Sequence, residues 1–180
     1  MSERFRDPGI SWYGLLDDEI LVHCPRCDGR ALILLREGGE GREGPGEREG
    51  REGREGGEGG TERGLFAPRR LLCPACGHGR DWDGDRIGRY DDPEDPYFRL
   101  PLWLRARCCG GRTLWAYGRR HLDLLEEYVA ARHRERPLPS GASGRAGTLV
   151  ASLPAWIKNA GNRGEILRAV ARMRATLGDP

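Results

Sequence analysis

The sequence predicts an α+β fold: an antiparallel ribbon of short strands in the N-terminal half, then a β-hairpin and about three α-helices. Three observations predict it. Two Cys-Pro-x-Cys turns, Cys24-Pro25-Arg26-Cys27 and Cys73-Pro74-Ala75-Cys76, each stand between short strand-like runs. A 28-residue stretch without one apolar side chain separates the two turns. From about residue 120 onward, apolar residues recur at helical spacing.

Composition sets the limits. A chain of 180 residues makes one domain or two small ones. Only 37% of residues are hydrophobic, 28 are glycine and the mean hydropathy is −0.68, which disfavours a large core. Chains short of apolar burial need a metal, disulfides or a partner to stay folded, and six cysteines could supply either of the first two. No apolar run follows the polar opening Met1 to Pro8, and none approaches 18 residues. The expected location is therefore the cytoplasm, with no membrane partner. Thiols stay reduced there, and paired cysteines read as metal ligands before disulfides.

Each element has its signal. Ile20-Leu21-Val22-His23 runs into the first turn and Arg30 to Leu35 leaves it. Leu71-Leu72 enters the second and Gly79 to Trp82 leaves it. Between them, Glu37 to Gly64 holds 12 Gly, 9 Glu and 5 Arg, so nothing repays the entropy of ordering it. The segment is expected to be a disordered insertion of low complexity. It also hides a spacing. Between Cys27 and Cys73 lie 45 residues, and looping out these 28 leaves 17, the separation of a four-cysteine metal site. Asp91 to Pro96 reads as an acidic, proline-stiffened linker, dividing the chain into 1–96 and 97–180, the second part packed on the first.

In the C-terminal part, Tyr97 to Ala106 and Thr113 to Tyr117 are expected to be hairpin arms with Cys108-Cys109-Gly110-Gly111 at the tip. A helix is predicted from Arg120 to Arg134, with Leu122, Leu125 and Val129 inward. Pro137, Pro139 and the small residues 140–144 end it in a flexible connection. Ser152 is placed to cap a short helix with Pro154 near its start. Asn162 and Glu165 resemble a capping box before a stripe of Ile166, Val170, Met173 and Leu177, which is expected to pack into the core.

The cysteine turns carry the chemistry. Proline pre-sets the turn, and Gly77, or Asp28-Gly29 at the equivalent place, lets it close. Thiolates of Cys24, Cys27, Cys73 and Cys76 at about 2.3 Å from one zinc ion make a closed tetrahedral site, structural because no position stays open for water. The binding energy of such a site becomes folding energy. Iron uses the same ligands and stays open as the alternative. A redox Cys-x-x-C motif would open a helix, and neither turn does. His23 and His78 adjoin ligands, and are expected around the site rather than in it.

Cys108 and Cys109 leave three readings open. Neighbouring strand side chains point apart, so these thiols are packed in the hairpin, share a second metal site, or sense redox state. The last requires a lowered pKa and exposure, for which Arg105, Arg107 and Arg112 could supply the positive field.

The knuckles resemble the zinc ribbons of transcription factors and of the primosomal replication-restart helicase. The whole chain resembles a group of small, uncharacterised bacterial zinc-ribbon proteins. The likeness rests on Trp103-Leu104, Cys108-Cys109-Gly110, Leu114-Trp115-Ala116-Tyr117, His121-Leu122, Leu153-Pro154-Ala155-Trp156 and Asn162-Arg163 through Leu167. The resemblance implies a fold and a metal, with replication or transcription as the setting; it carries over no activity.

Two classes of function are weighed. The first is a non-catalytic binding module. Residues 97–180 carry a net +9 and residues 1–96 a net −7. The basic part suits nucleic acid or an acidic protein. Candidate contacts are Arg105, Arg107, Arg112, Arg119, Arg120, Lys158, Arg163, Arg168 and Arg172, with Trp103, Trp115, Tyr117 and Trp156 as stacking faces. The plainer account is that these rings fill a small core. The second class is an enzyme. No catalytic constellation is visible, and none of the four histidines lies in an H-E-x-x-H motif. Lys158, the one lysine, follows Ile157 and precedes Asn159, so there is no phosphate-binding loop and no nucleotide triphosphate is expected. Only Cys108 and Cys109 keep a thiol redox function as the alternative.

Overall fold

The computed structural model describes residues 4–36, 64–134 and 148–178. The expected disorder of 37–64 lies outside the described residues, Gly64 apart, as does the expected connection over 137–144.

The chain opens with two elements that sequence patterns did not announce: strand β1 (Arg4–Phe5) and helix α1 (Trp12–Leu16). Five residues are too few to display a helical period. Ser11 caps α1 by accepting the Gly14 N–H at 3.1 Å, and Leu15 and Leu16 are buried.

Strands β2 (Ile20–His23), β3 (Arg30–Leu35), β4 (Arg69–Leu72) and β5 (Gly79–Trp82) follow, close to their expected bounds. Alternation of side chains sends Ala31, Ile33 and Leu71 into the core. The four form one antiparallel sheet in chain order, with Ile20 opposite Ile33 and Ile33 opposite Leu71. In such a meander alternate turns share an end. Both Cys-Pro-x-Cys turns, after β2 and after β4, therefore come to one end, and the insertion leaves from the other.

The expected linker Asp91–Pro96 ends in a packed turn. The Asp95 carboxylate is fully buried and accepts the N–H groups of Tyr97, Phe98 and Leu100 at 2.9, 2.7 and 2.7 Å. That ring of donors turns the chain at Tyr97–Leu100, where a hairpin arm was expected. The hairpin proper is β6 (Leu104–Cys108) and β7 (Arg112–Ala116). It grows from the free edge of β2: the Trp103 N–H donates to the Leu21 carbonyl at 2.9 Å, and the Leu21 N–H to the Tyr117 carbonyl at 2.7 Å.

Helix α2 (Arg119–Ala130) buries Leu122, Leu125 and Val129 as expected, together with His121. It stops short of Arg134. Ala131 turns extended, and β8 (His133–Arg134) pairs in parallel with β1. Then come α3 (Leu149–Ser152), α4 (Ala155–Lys158), a 3-10 turn (Ala160–Asn162) and α5 (Arg163–Ala175), making four α-helices after the hairpin among the described residues, where about three were expected. Two caps differ from expectation. Ser152 does not cap α4, the helix that follows Pro154: Pro154 itself stands at that N-cap with no side-chain bond, while the Ser152 hydroxyl donates to the Leu149 carbonyl at 2.8 Å within α3, which Thr148 caps. Asn162 makes no side-chain cap; its amide donates to the Trp156 carbonyl at 2.8 Å, and Glu165 accepts the Cys109 N–H. The inward face of α5, Ile166, Ala169, Val170 and Met173, belongs to the same buried apolar cluster as Leu21, Leu71, Leu104 and Leu122. Among the described residues no helix is long and apolar enough to cross a membrane.

Candidate metal centre

The two cysteine turns share one backbone pattern. In the first, the Asp28 N–H donates to the Cys24 carbonyl at 2.9 Å, and the Cys24 N–H to the Gly29 carbonyl at 2.8 Å. In the second, the Gly77 N–H donates to the Cys73 carbonyl at 2.9 Å, and the Cys73 N–H to the His78 carbonyl at 2.8 Å. The residue after each second cysteine is left-handed, with φ +59° at Asp28 and +70° at Gly77. Aspartate itself takes that conformation, which it tolerates better than most residues. Gly29 serves a different need. A Cβ there would lie 3.3 Å from the Cys27 sulfur and 3.4 Å from the Ala75 Cβ, so its bareness lets the two knuckles approach.

All four sulfurs lie within 4.8 Å of one another. Cys24 Sγ is 3.7 Å from Cys76 Sγ, and Cys27 Sγ 3.6 Å from Cys73 Sγ. Four sulfurs at about 2.3 Å from one zinc would stand about 3.8 Å apart along a tetrahedron's edges, so the donor set fits such an ion. Cys24 and Cys73 are buried, Cys76 is half-buried and Cys27 is exposed. The cluster can hold one metal ion.

Ionisation within the cluster is uneven. Burial opposes charge on Cys24, but the N–H groups of Arg26 and Cys27 and the thiols of Cys73 and Cys76 donate to it, and its pKa falls to about 7. At Cys27 the Gly29 N–H also favours the thiolate, yet Cys76, burial, Cys73 and Cys24 together outweigh it and push the thiol up to about 12. Thiols this close do not all ionise unaided; a bound cation supplies the missing charge. Neither histidine joins the sulfurs. The His23 Nδ1 lies 2.9 Å from the Asp28 carboxylate and its ring packs 4.8 Å from Trp103, while His78 contributes its carbonyl.

Cys108 is buried, and burial with the neighbouring Cys109 and Glu165 pushes its thiol up to about 12. Cys109 is half-buried at φ +49°. Among the described residues, no second group of three or more Cys, His, Asp or Glu side chains gathers as the first does.

The nine cationic candidates fall into different settings. Arg105, Arg107 and Arg172 come together in one groove of about 390 Å³, which Trp103, Ala106, Met173 and Thr176 complete. Arg168 is exposed one helical turn before Arg172. Arg119 and Arg120 are ion-paired with Glu19 and Asp18 at 3.9 and 3.0 Å. Arg163 donates to the Ala131 carbonyl, Lys158 to the Ala151 carbonyl, and Arg112 lies over the Trp156 ring. Of the rings, Tyr117 is buried, while Trp103, Trp115 and Trp156 are half-buried. Sequence reasoning missed Met173 and Thr176 as groove residues. Met173 also belongs to the core stripe, and Thr176 carries no signal in the sequence.

The sulfur cluster and the groove are thus read from the chain's own chemistry: no protein-family model, no curated protein and no solved structure matches it.

Proposed function

We propose that this chain is a non-catalytic zinc-ribbon module that binds nucleic acid, with one structural zinc ion on Cys24, Cys27, Cys73 and Cys76. The reading is supported above all by the four sulfurs, whose 3.6 and 3.7 Å separations suit a tetrahedral ion. Four thiolates leave no place for a substrate or water, so the metal contributes folding energy and rigid turns rather than chemistry. Rigid turns in turn present a surface. The +9 charge of residues 97–180 and the three arginines gathered beside Trp103 favour a polyanion.

Metal analysis and a binding titration test this together. The purified chain is expected to carry one zinc per molecule and to bind oligonucleotides with an affinity that falls steeply as salt rises. One iron per chain would replace zinc by a rubredoxin-like centre. No oligonucleotide binding at low salt would remove the nucleic-acid function and leave an acidic protein as the partner to test.

A further inference from the structure

We propose that the groove between β6 and α5 carries single-stranded nucleic acid, its phosphates on Arg105, Arg107 and Arg172 and a base against Trp103. The proposal rests on the nucleic-acid reading above and names the ligand class and the path.

Strand geometry sets the spacing. Arg105 and Arg107 stand two residues apart on β6, so they share one face about 7 Å apart. Trp103, two residues before Arg105, lines the groove beside it. Arg172 reaches in from α5 and donates to the Arg107 carbonyl at 3.1 Å. Three cations therefore share one groove with an indole, the combination that holds single strands without reading their sequence.

Charge is not spread evenly. Some arginines elsewhere on the surface are neutralised, as Arg89 is by Asp91 and Asp92, and Arg174 by Asp123 and Glu126. None of the three groove arginines is ion-paired with a carboxylate among the described residues. Glu165, near the hairpin tip, accepts the Cys109 N–H. Unneutralised guanidinium groups in a groove are what a phosphate backbone needs.

The stacking ring is held in advance. The Trp103 indole is fixed by its N–H bond to the Thr176 hydroxyl and by the His23 ring at 4.8 Å. A pre-positioned ring loses little entropy on binding. The same feature selects against a duplex, whose base faces are already stacked on one another.

Fluorescence anisotropy with the zinc-loaded full chain and a labelled oligothymidine of about 15 nucleotides tests this. R105Q/R107Q is expected to weaken binding at least about tenfold at low salt and to lower the salt slope by about 1.4, at about 0.7 per phosphate contact. R105Q alone, whose side chain has no hydrogen-bonding partner among the described residues, should give about half that change in slope. W103L should weaken binding about tenfold while leaving the slope in place, because it removes stacking and no charge. R70Q/R89Q, which removes as many charges from ion-paired positions, should match the unmutated chain. Undiminished affinity and slope in R105Q/R107Q would overturn this path while the nucleic-acid function stood. Tighter binding to a duplex of equal length would overturn the single-strand assignment. Absence of binding to either form at low salt would overturn path and function together.

Discussion

The indole N–H of Trp103 donates to the hydroxyl of Thr176 at 3.0 Å, tying the neighbour of the first cysteine turn to the end of α5. The same contact zone includes Arg30, whose guanidinium donates to the Leu177 carbonyl at 2.6 Å and so caps that helix end. His23, one residue before Cys24, packs its ring 4.8 Å from the indole. The sulfur cluster and the C-terminal helix therefore share a wall.

Metal removal should consequently be felt well beyond the cysteines. Structural zinc contributes about 10–16 kcal/mol of apparent binding energy, against about 5–15 kcal/mol for a whole domain. A chelated chain, or Cys73→Ser, should lose the four-stranded sheet and expose Trp103, read as a red shift in tryptophan fluorescence and a collapsed thermal transition. An unchanged Tm in metal-free protein would contradict the structural role.

The two glycines beside the cysteines should fail differently. Gly77→Ala meets no atom within 4 Å but forces a side chain onto φ +70°, at a cost of about 1 kcal/mol in stability with metal retained. Gly29→Ala presses on the Cys27 sulfur at 3.3 Å and should lower metal affinity instead. Competition with a coloured chelator separates them: G29A is expected to release zinc first.

Arg69 is fully buried and holds together three parts of the chain. It donates to the Leu16 carbonyl at the end of α1 and to the Gly64 carbonyl, and lies 4.6 Å from the Tyr97 ring centre. Arg69→Met strands those carbonyls and should cost about 2–4 kcal/mol in urea unfolding. Arg69→Lys should recover little of it, since an ammonium cannot fork to both acceptors.

His121 makes the fold acid-sensitive. It accepts the Tyr117 N–H on Nδ1 at 3.3 Å among the rings of Trp12, Trp115 and Tyr117, and burial pushes its pKa down to about 3. Between about pH 6.5 and pH 3 the unfolded chain binds a proton that the folded chain refuses. Stability present above that window therefore falls as pH drops, by about 1.4 kcal/mol per unit. Cysteine protonation adds its own acid loss by releasing metal, so the comparison that counts is with His121→Gln. Its stability-against-pH slope should be shallower by that amount, and an identical slope would refute the assignment.

Cys108 should be inert at neutral pH. Its thiol, buried and pushed up to about 12, offers almost no thiolate to an alkylating reagent. Mass spectrometry of the folded, metal-loaded chain is expected to find Cys108 unmodified after treatment that labels an accessible thiol. Rapid labelling at Cys108 would favour the redox alternative.

Local chemistry was legible in advance. The strands around both cysteine pairs, the apolar faces of α2 and α5, and the four clustered cysteines each leave a mark in composition or spacing, because period and turn chemistry act over a few residues. What lay beyond reach was long-range pairing. Asp95 read as part of an acidic linker, yet three N–H donors gather round its carboxylate. Glu165 read as half of a capping box, yet it reaches the hairpin tip. Arginines that looked alike in sequence divide into ion pairs, carbonyl caps and a groove, since a guanidinium's role depends on which acceptor the fold brings within about 3 Å. The sequence by itself determined which residues can ligate, turn or pack. Only the tertiary structure decided which charges stay unneutralised beside Trp103, because that depends on distances between residues that have no relation along the chain.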